Sequence, residues 1–300
     1  MEQITVRVPA STSNLGPGFD CLGVAVRIYN TFTVARSASH QDFHPPIVSN
    51  AADRFFQEAR LRAFLFSCSI VEEIPRSRGF GSSATIRLGI LLALNRLSGN
   101  PLDRFKIFQL CAQLEGHPDN AAPATFGGFT VTRSDGFPAV TLRRLPKASL
   151  LASAVQHFAV SPRLHFVLLV PDVEIQTSKA RNVLPLKISH REAAENVANA
   201  CALTAAFASQ DYKKLRGVFA DHLHQPFREK LIPFLPRVIA AAEKANALGA
   251  FLSGSGSAIC AITLQDHNRV AAAMSRAAKI RAHTVVTRAD NHGARFVTAR

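Results

Sequence analysis

The sequence predicts an α+β protein of two domains. Stretches with a two-residue hydrophobic period, such as Ile4-Thr5-Val6-Arg7-Val8, stand beside stretches with helical spacing. The strands read as antiparallel, and the helices are mixed among them rather than alternating strictly. The length, 300 residues, suits one large domain or two ordinary ones. A boundary near 150 to 160 divides the chain into 1–155 and 156–300.

From the N-terminus, Ile4 to Val8 reads as a strand, followed by a Gly/Pro/Ser-rich loop from Pro9 to Asp20. Val24, Val26 and Ile28, then Phe32 and Val34, suggest two further strands. His40 to Ser49 is loop-like, with a Pro45-Pro46 pair, and Ala51 to Phe66 has a helical spacing of aromatics. Thr85 to Leu97 is an apolar helix that ends at Gly99-Asn100-Pro101. Asp103 to Leu114 is a second helix, with Asp103 as its cap. Gly127-Gly128 precedes a strand at Phe129 to Arg133, and Ala139 to Arg143 suggests another. In the second half, Phe166 to Val170 is a buried strand. Helices follow at Arg191 to Ala208, Asp211 to His222 and Phe234 to Leu248. Ala250 to Thr263 is apolar and interrupted by Gly254-Ser255-Gly256-Ser257. A helix over Asn268 to Arg281 precedes strands at His283 to Thr287 and Ala294 to Thr298.

Composition narrows the function classes. Hydrophobic residues are 47% and charged residues 19%, which excludes disordered, collagen-like and coiled-coil chains. The longest near-apolar run, Leu88 to Leu94, is too short to span a bilayer. Glu2 and the lack of an apolar segment behind it argue against a signal peptide, so a cytoplasmic protein is expected. The five cysteines form no C-x-x-C pair, which argues against a zinc ribbon or a disulfide framework. A net charge of +14 raises nucleic-acid binding or anionic substrates. No basic run carries interleaved aromatics, which makes nucleic acid the weaker choice.

Four loops carry chemistry. The first is Pro75-Arg76-Ser77-Arg78-Gly79-Phe80-Gly81-Ser82-Ser83-Ala84-Thr85. Its glycines allow sharp turns and close backbone approach, and it opens a helix whose free N–H groups favour an anion. A Walker A loop is excluded, because the chain has no Gly-Lys pair. Gly79, Gly81 and Ala84 match a dinucleotide fingerprint, but a helix and a turn fill the interval to Asp103 where a strand would be needed. No G-x-S-x-G elbow is present. The second loop, Pro9 to Asp20, offers the Asn14 amide and the Asp20 carboxylate. Turn chemistry alone also explains its Ser, Asn, Gly and Pro content. The third is Glu115-Gly116-His117-Pro118-Asp119-Asn120, where a carboxylate suits Mg²⁺. The fourth is Leu252 to Ser257, readable as a close backbone approach or as a plain hairpin.

Taken in order, these loops resemble the three signature motifs of the GHMP small-molecule kinases, and within them the homoserine kinases. Pro9-Ala10-Ser11-Thr12-Ser13-Asn14-Leu15-Gly16-Pro17-Gly18-Phe19-Asp20 is similar to that family's N-terminal motif. Arg78 to Ala84 is similar to its phosphate loop and Leu252 to Ser257 to its third motif, while Glu115 to Asn120, followed by Ala122-Pro123-Ala124 and Gly127-Gly128-Phe129, is similar to a segment specific to homoserine kinases. Thr177-Ser178-Lys179-Ala180-Arg181 and His224-Gln225-Pro226-Phe227-Arg228 are further matches. Three departures stand out. Pro75-Arg76-Ser77 occupies the place of Pro-Leu-Gly, Phe80 that of a Leu, and Gly254-Ser255-Gly256-Ser257 that of Gly-Ala-Gly-Pro.

The resemblance implies an N-terminal ribosomal-S5-like domain and a C-terminal ferredoxin-like domain, with the active site between them. It implies transfer of the ATP γ-phosphate to L-homoserine, a step of threonine biosynthesis, by a chain that forms a homodimer. Loop 75–85 would hold the triphosphate, with Gly254 and Gly256 beside it and Asn50 at the adenine. Ser83 and Glu115 would ligate Mg²⁺. Asp20 would meet the acceptor ammonium, and Arg181 and Arg228 would clamp its carboxylate. Asn14, His117 and Asn120 would surround the hydroxyl. The family lacks a dedicated aspartate base, which implies direct transfer with the proton passing to the γ-phosphate. Asp119 is the alternative base. A kinase for another small alcohol and a non-catalytic nucleic-acid-binding relative are the competing readings.

Overall fold

The computed structural model describes residues 3–37, 43–133 and 154–297. The first sheet grows from a long antiparallel hairpin of β1 (Gln3–Ser13) and β2 (Leu22–Arg36). A register shift at Pro9/Ala10 bends it just before the first chemical loop. β2 is one continuous strand where two were expected, because nothing from Val24 to Arg36 is a Gly or Pro that would break it. Its two halves pair with different partners, β3 (Phe66–Glu72) and β4 (Phe129–Thr132). β5 (Val155–Phe158) extends the β4 edge.

Helix α1 (Pro46–Ala59) starts earlier than the aromatic spacing suggests and stops at Arg60, which adopts a left-handed conformation. Phe66 therefore opens β3, a strand the sequence reading missed. Helix α2 (Ser82–Leu97) is buried nearly all round, as its apolar composition requires. It packs on β1 and β2 among Val6, Phe32, Val34, Leu88 and Leu91. Asp103 caps α3 (Arg104–Glu115) by accepting from the Lys106 N–H at 2.8 Å, as expected. Left-handed Gly116 ends α3, and α4 (Ala121–Phe126) follows after the segment 117–120. The strand suggested at Ala139 to Arg143 lies outside the described residues.

The second sheet is β6 (His165–Pro171), β7 (Gly249–Leu252), β8 (Ile259–Thr263) and β9 (Ala282–Arg288), in the order β7-β8-β6-β9. Helices α5 (Thr177–Asn182), α6 (His190–Ala208), α7 (Gln225–Arg228) and α8 (Leu235–Lys244) lie between β6 and β7, and α9 (His267–Ala278) between β8 and β9. Relabelled in chain order, that is a β-α-β-β-α-β unit with the ferredoxin-like order 4-1-3-2. α8 and α9 cover one face through Val238, Val270 and Met274. The helix expected over Asp211 to His222 shrinks to a 3₁₀ turn, Tyr212–Leu215, because Gly217 adopts a positive φ and ends it. A separate core joins the two sheets, with Phe129 stacked on Phe207 at 4.3 Å and Phe166 and Phe251 beside them. β10 (Arg295–Val297) returns to the first sheet against β1, so residues on both sides of 155/156 build that sheet. Among the described residues no helix is long and apolar enough to cross a membrane.

Candidate active site

A cavity of about 290 Å³ opens where the two sheets meet. The loop before α2 forms one wall. Ser77, Gly79 and Gly81 all hold positive φ, and Gly81 itself precedes the helix, so no side chain caps the first turn of α2. A Cβ on Gly79 would stand 2.0 Å from the Ser253 carbonyl oxygen, and one on Gly81 2.4 Å from Ser11 Oγ. These positions therefore admit only glycine. The loop is braced from both domains. Ser11 N donates to the Phe80 carbonyl at 3.1 Å, and Ile175 N to the Ser77 carbonyl at 3.1 Å. Ala258 N donates to the Arg78 carbonyl at 3.0 Å, and Ser253 Oγ to that of Gly79 at 2.6 Å. Ser82 Oγ at the head of the helix is buried with no hydrogen-bond partner. Uncapped N–H groups and an orphaned hydroxyl make a site for phosphate oxygens.

The opposite wall carries the charged side chains. Asp20, held at positive φ with its N–H on Asn14 Oδ1 at 3.0 Å, forms a two-pronged pair with Arg181 at 2.8 and 3.0 Å. Asn14 Nδ2 donates to the Gly254 carbonyl at 3.0 Å, tying the first loop to the last. Arg228 is 2% exposed and donates to the carbonyls of Ala180 (3.1 Å) and Gly254 (3.0 Å). Burial, and then the charge of Arg181, push its pKa down to about 10, which leaves it cationic at neutral pH. Arg228 also meets His224 Nδ1 at 3.2 Å, while His224 Nε2 lies 2.9 Å from the Gly16 carbonyl. A carbonyl only accepts, so Nε2 carries a proton, and a guanidinium only donates, so Nδ1 accepts and the ring is neutral. Burial drives its pKa down to about 4. Phe19 lies against both guanidiniums, at 5.5 Å from Arg181 and 5.4 Å from Arg228.

On the same wall, His117 Nδ1 contacts Asp119 Oδ1 at 2.5 Å. Asn120 reaches the same oxygen at 3.3 Å and Ser13 Oγ at 3.1 Å, and accepts from Ser11 Oγ at 2.8 Å. Burial alone would raise the Asp119 pKa, but His117, Ser13 and Arg181 outweigh it and hold the carboxyl below its usual range. His117 is pulled down by burial and further up by Asp119, so it ends above its ordinary value.

Ser83 Oγ donates to Glu115 Oε2 at 2.7 Å, and the other Glu115 oxygen pairs with Arg87. Two adjoining oxygen donors beside the phosphate-binding helix end fit Mg²⁺, which takes few protein oxygens and completes its shell from phosphate and water. Asp20, His117 and Asp119 also bring ligand atoms within 4.8 Å of one another. Arg181 and the imidazole engage those carboxylates, as Ser83 and Arg87 engage Glu115, so it is their place at the head of α2 that favours Ser83 and Glu115.

Of the residues singled out in the sequence, Asn14, Asp20, Arg76, Ser77, Gly79, Phe80, Gly81, Ser82, Ser83, Glu115, His117, Asp119, Asn120, Arg181, Arg228 and Gly254 line the cavity. Asn50, Pro75, Arg78, Ala84, Thr85 and Gly256 are not among its lining residues. Asn50 is exposed on α1. Arg78 turns outward to Asp172 and Glu174. The Thr85 hydroxyl bonds Ser82 and Asn30. A Cβ on Gly256 would press on Ile232. Sequence reasoning missed Ile47, Ile86 and Ile175, which also line the cavity, and named Thr177 within a motif without giving it a role there. It also missed Asp221, which accepts the N–H groups of Leu223, His224 and Gln225. Arg87 did leave a signal, as the sole charge in the first three turns of an apolar helix.

The family description "GHMP kinases N terminal domain" matches residues 46–128, and "GHMP kinases C terminal" matches 203–280. The homoserine kinase of Trichormus variabilis is 35% identical over 98% of this chain and 99% of its own length. That of Caldicellulosiruptor bescii is 36% identical over 88% of this chain and 85% of its own. The crystal structure of homoserine kinase from Cytophaga hutchinsonii superposes with a TM-score of 0.84 at 26% identity, covering 99% of this chain and 98% of that one. Methanococcus jannaschii mevalonate kinase, at 14% identity and a TM-score of 0.69 over 97% of this chain and 99% of its own, shares the fold.

Proposed function

We propose that this chain, which belongs to the homoserine kinase family of the GHMP kinases, transfers the γ-phosphoryl group of ATP to the side-chain hydroxyl of L-homoserine. The products are O-phospho-L-homoserine and ADP, within threonine biosynthesis. One observation carries the reading. A single cavity has an uncapped helix end and an orphaned serine hydroxyl on one side, and the Asp20–Arg181 pair with buried Arg228 on the other.

That division matches the two substrates. The backbone of loop 75–85 takes the phosphates, and Arg76 at the cavity wall adds a positive charge. An α-amino acid carries an ammonium and a carboxylate, so it can exchange partners with the Asp20–Arg181 pair. Its ammonium replaces Arg181 on Asp20, and its carboxylate meets Arg181 and Arg228. Neither charge of the protein is then left unpaired. Asn14, His117 and Asn120 line the space left for the hydroxyl. Ser83 and Glu115 would hold Mg²⁺, which neutralises phosphate charge.

In the transfer, the homoserine oxygen forms a bond to the γ-phosphorus while the bond to the β-bridging oxygen breaks and ADP leaves. The hydroxyl proton passes to a γ-phosphate oxygen. Catalysis in this scheme is positioning and charge stabilisation through a loose transition state. Asp119 serves by holding His117 and Asn120 in place. The reading includes a cytoplasmic location and a homodimer, the latter testable by light scattering.

The test is ADP release from MgATP with L-homoserine, L-serine, L-threonine or no acceptor. Homoserine-dependent turnover that vanishes without Mg²⁺ is expected, and its absence from folded protein overturns the assignment. Asp119→Asn tests the route of the proton. A fall in kcat well under the general-base range of about 10²–10⁴-fold is expected, and one near 10⁴-fold makes Asp119 the base.

A further inference from the structure

Arg78 belongs to the phosphate loop by sequence, yet its side chain leaves the nucleotide wall. Its guanidinium lies 3.4 Å from Asp172 Oδ1 and 3.4 Å from Glu174 Oε1. It is itself only 12% exposed, while those carboxylates are 62% and 69% exposed. The cation is thus seated in the fold, and the two acids come to it from the other domain. Asp172 and Glu174 lie in the segment between β6 and α5, and α5 carries Thr177 and Arg181 of the acceptor wall. Two main-chain bonds run alongside: Ile175 N to the Ser77 carbonyl and Ala258 N to the Arg78 carbonyl. A separate cleft of about 440 Å³, lined by Arg76, Arg78, Asp172, Glu174 and Arg281 among others, lies on this outer side and exposes the contact to water.

We propose that Arg78 is a positioning residue that couples the two substrate sites: by gripping Asp172 and Glu174 it ties the phosphate loop to the segment that delivers Arg181. When nucleotide is held by the loop, the contact fixes the segment before α5 against it, and homoserine binds more tightly. By linkage, homoserine tightens nucleotide binding by the same factor. This rests on the reading of the chain as a homoserine kinase.

The experiment measures L-homoserine affinity calorimetrically, with and without saturating Mg²⁺ and a non-hydrolysable ATP analogue. Wild-type, Arg78→Met, Arg78→Lys and Asp172→Asn/Glu174→Gln proteins are compared, with ADP release assayed alongside. The wild-type dissociation constant should fall roughly fivefold with nucleotide, the low end of usual coupling. That factor should drop to about one in Arg78→Met and in the acid double variant, and recover in part in Arg78→Lys. Combining Arg78→Met with the acid variant should remove nothing more. A purely structural role would lower thermal stability without changing the ratio of the two dissociation constants. An unchanged ratio in Arg78→Met, or a wild-type ratio of one, overturns the proposal while homoserine turnover leaves the functional reading intact. Wild-type protein that neither binds nor turns over homoserine overturns that reading and the proposal with it.

Discussion

The two walls of the cavity solve opposite problems. The proposed phosphate wall comes from one stretch of chain, Arg76 to Ser83, and it presents backbone: glycines at positive φ, an uncapped helix end and carbonyls tied off by neighbours. The acceptor wall gathers side chains from four distant places, Asp20, His117–Asn120, Arg181 and Arg228. It holds charges already matched to one another, Asp20 with Arg181 and Asp119 with His117. A polyanion can be met by fixed dipoles that need no partner beforehand. A zwitterion needs both signs of charge, and buried charges must be kept paired at all times. Different kinds of substitution should therefore damage the two walls.

The largest effect is expected on the phosphate wall. Gly79→Ala places a Cβ 2.0 Å from the Ser253 carbonyl at a φ of +83°, so the loop must shift. A displacement near 1 Å costs about 10²-fold. That loss should appear in kcat/KM for ATP, measured at saturating homoserine. Retained ATP kinetics would show that the backbone shape is not what holds the nucleotide. Next in size is Asp20→Asn, which keeps the shape and removes a charge. Losing one charged hydrogen bond is worth about 1.5–3 kcal/mol, so the homoserine KM should rise tenfold or more while the ATP KM stays put. Equal changes in both constants would erase the division of labour between the walls.

The smallest effect is a pH response from the histidines in and behind the acceptor wall. His224 titrates near 4 in the folded chain, through burial and then the nearby charges, against 6.5 ordinarily. Between those values the unfolded chain binds the proton and the native chain does not. Stability is therefore lost as pH falls from 6.5 toward 4. His117 acts oppositely, since its raised pKa contributes stability that is present below 6.5 and lost as pH rises through the folded value. His224→Gln should flatten the acid fall in Tm by about 2–4 °C for each kcal/mol removed. An unchanged slope would place the acid sensitivity elsewhere.

The contrast between the walls also explains what could be read in advance. Loop 75–85 was legible because its chemistry is local: glycine spacing followed by an apolar helix is visible in consecutive residues. Arg78 sat inside that motif and still departed from it, because its partners Asp172 and Glu174 arrive from the distant segment after β6. Asn14, Asp20 and the 115–120 cluster could be picked out as polar loop residues, but their roles, and Arg181 and Arg228 altogether, came only through family resemblance. No spacing rule links Asp20 to Arg181, or His224 to Gly16.

By itself the sequence determined the strands and helices whose periodicity is strong, the Asp103 cap, the glycine cradle and the family. Those follow from interactions within a few residues or from motifs legible along the chain despite the departures at 75–77, Phe80 and 254–257. Only the tertiary structure decided that β2 runs unbroken and that β10 closes the first sheet. It alone decided that Asn50 points to solvent, that Arg87 holds Glu115 and that Arg181 and Asp20 neutralise each other. Each of these depends on which distant groups meet and on how much water remains between them, and that is set by packing rather than by neighbours in the chain.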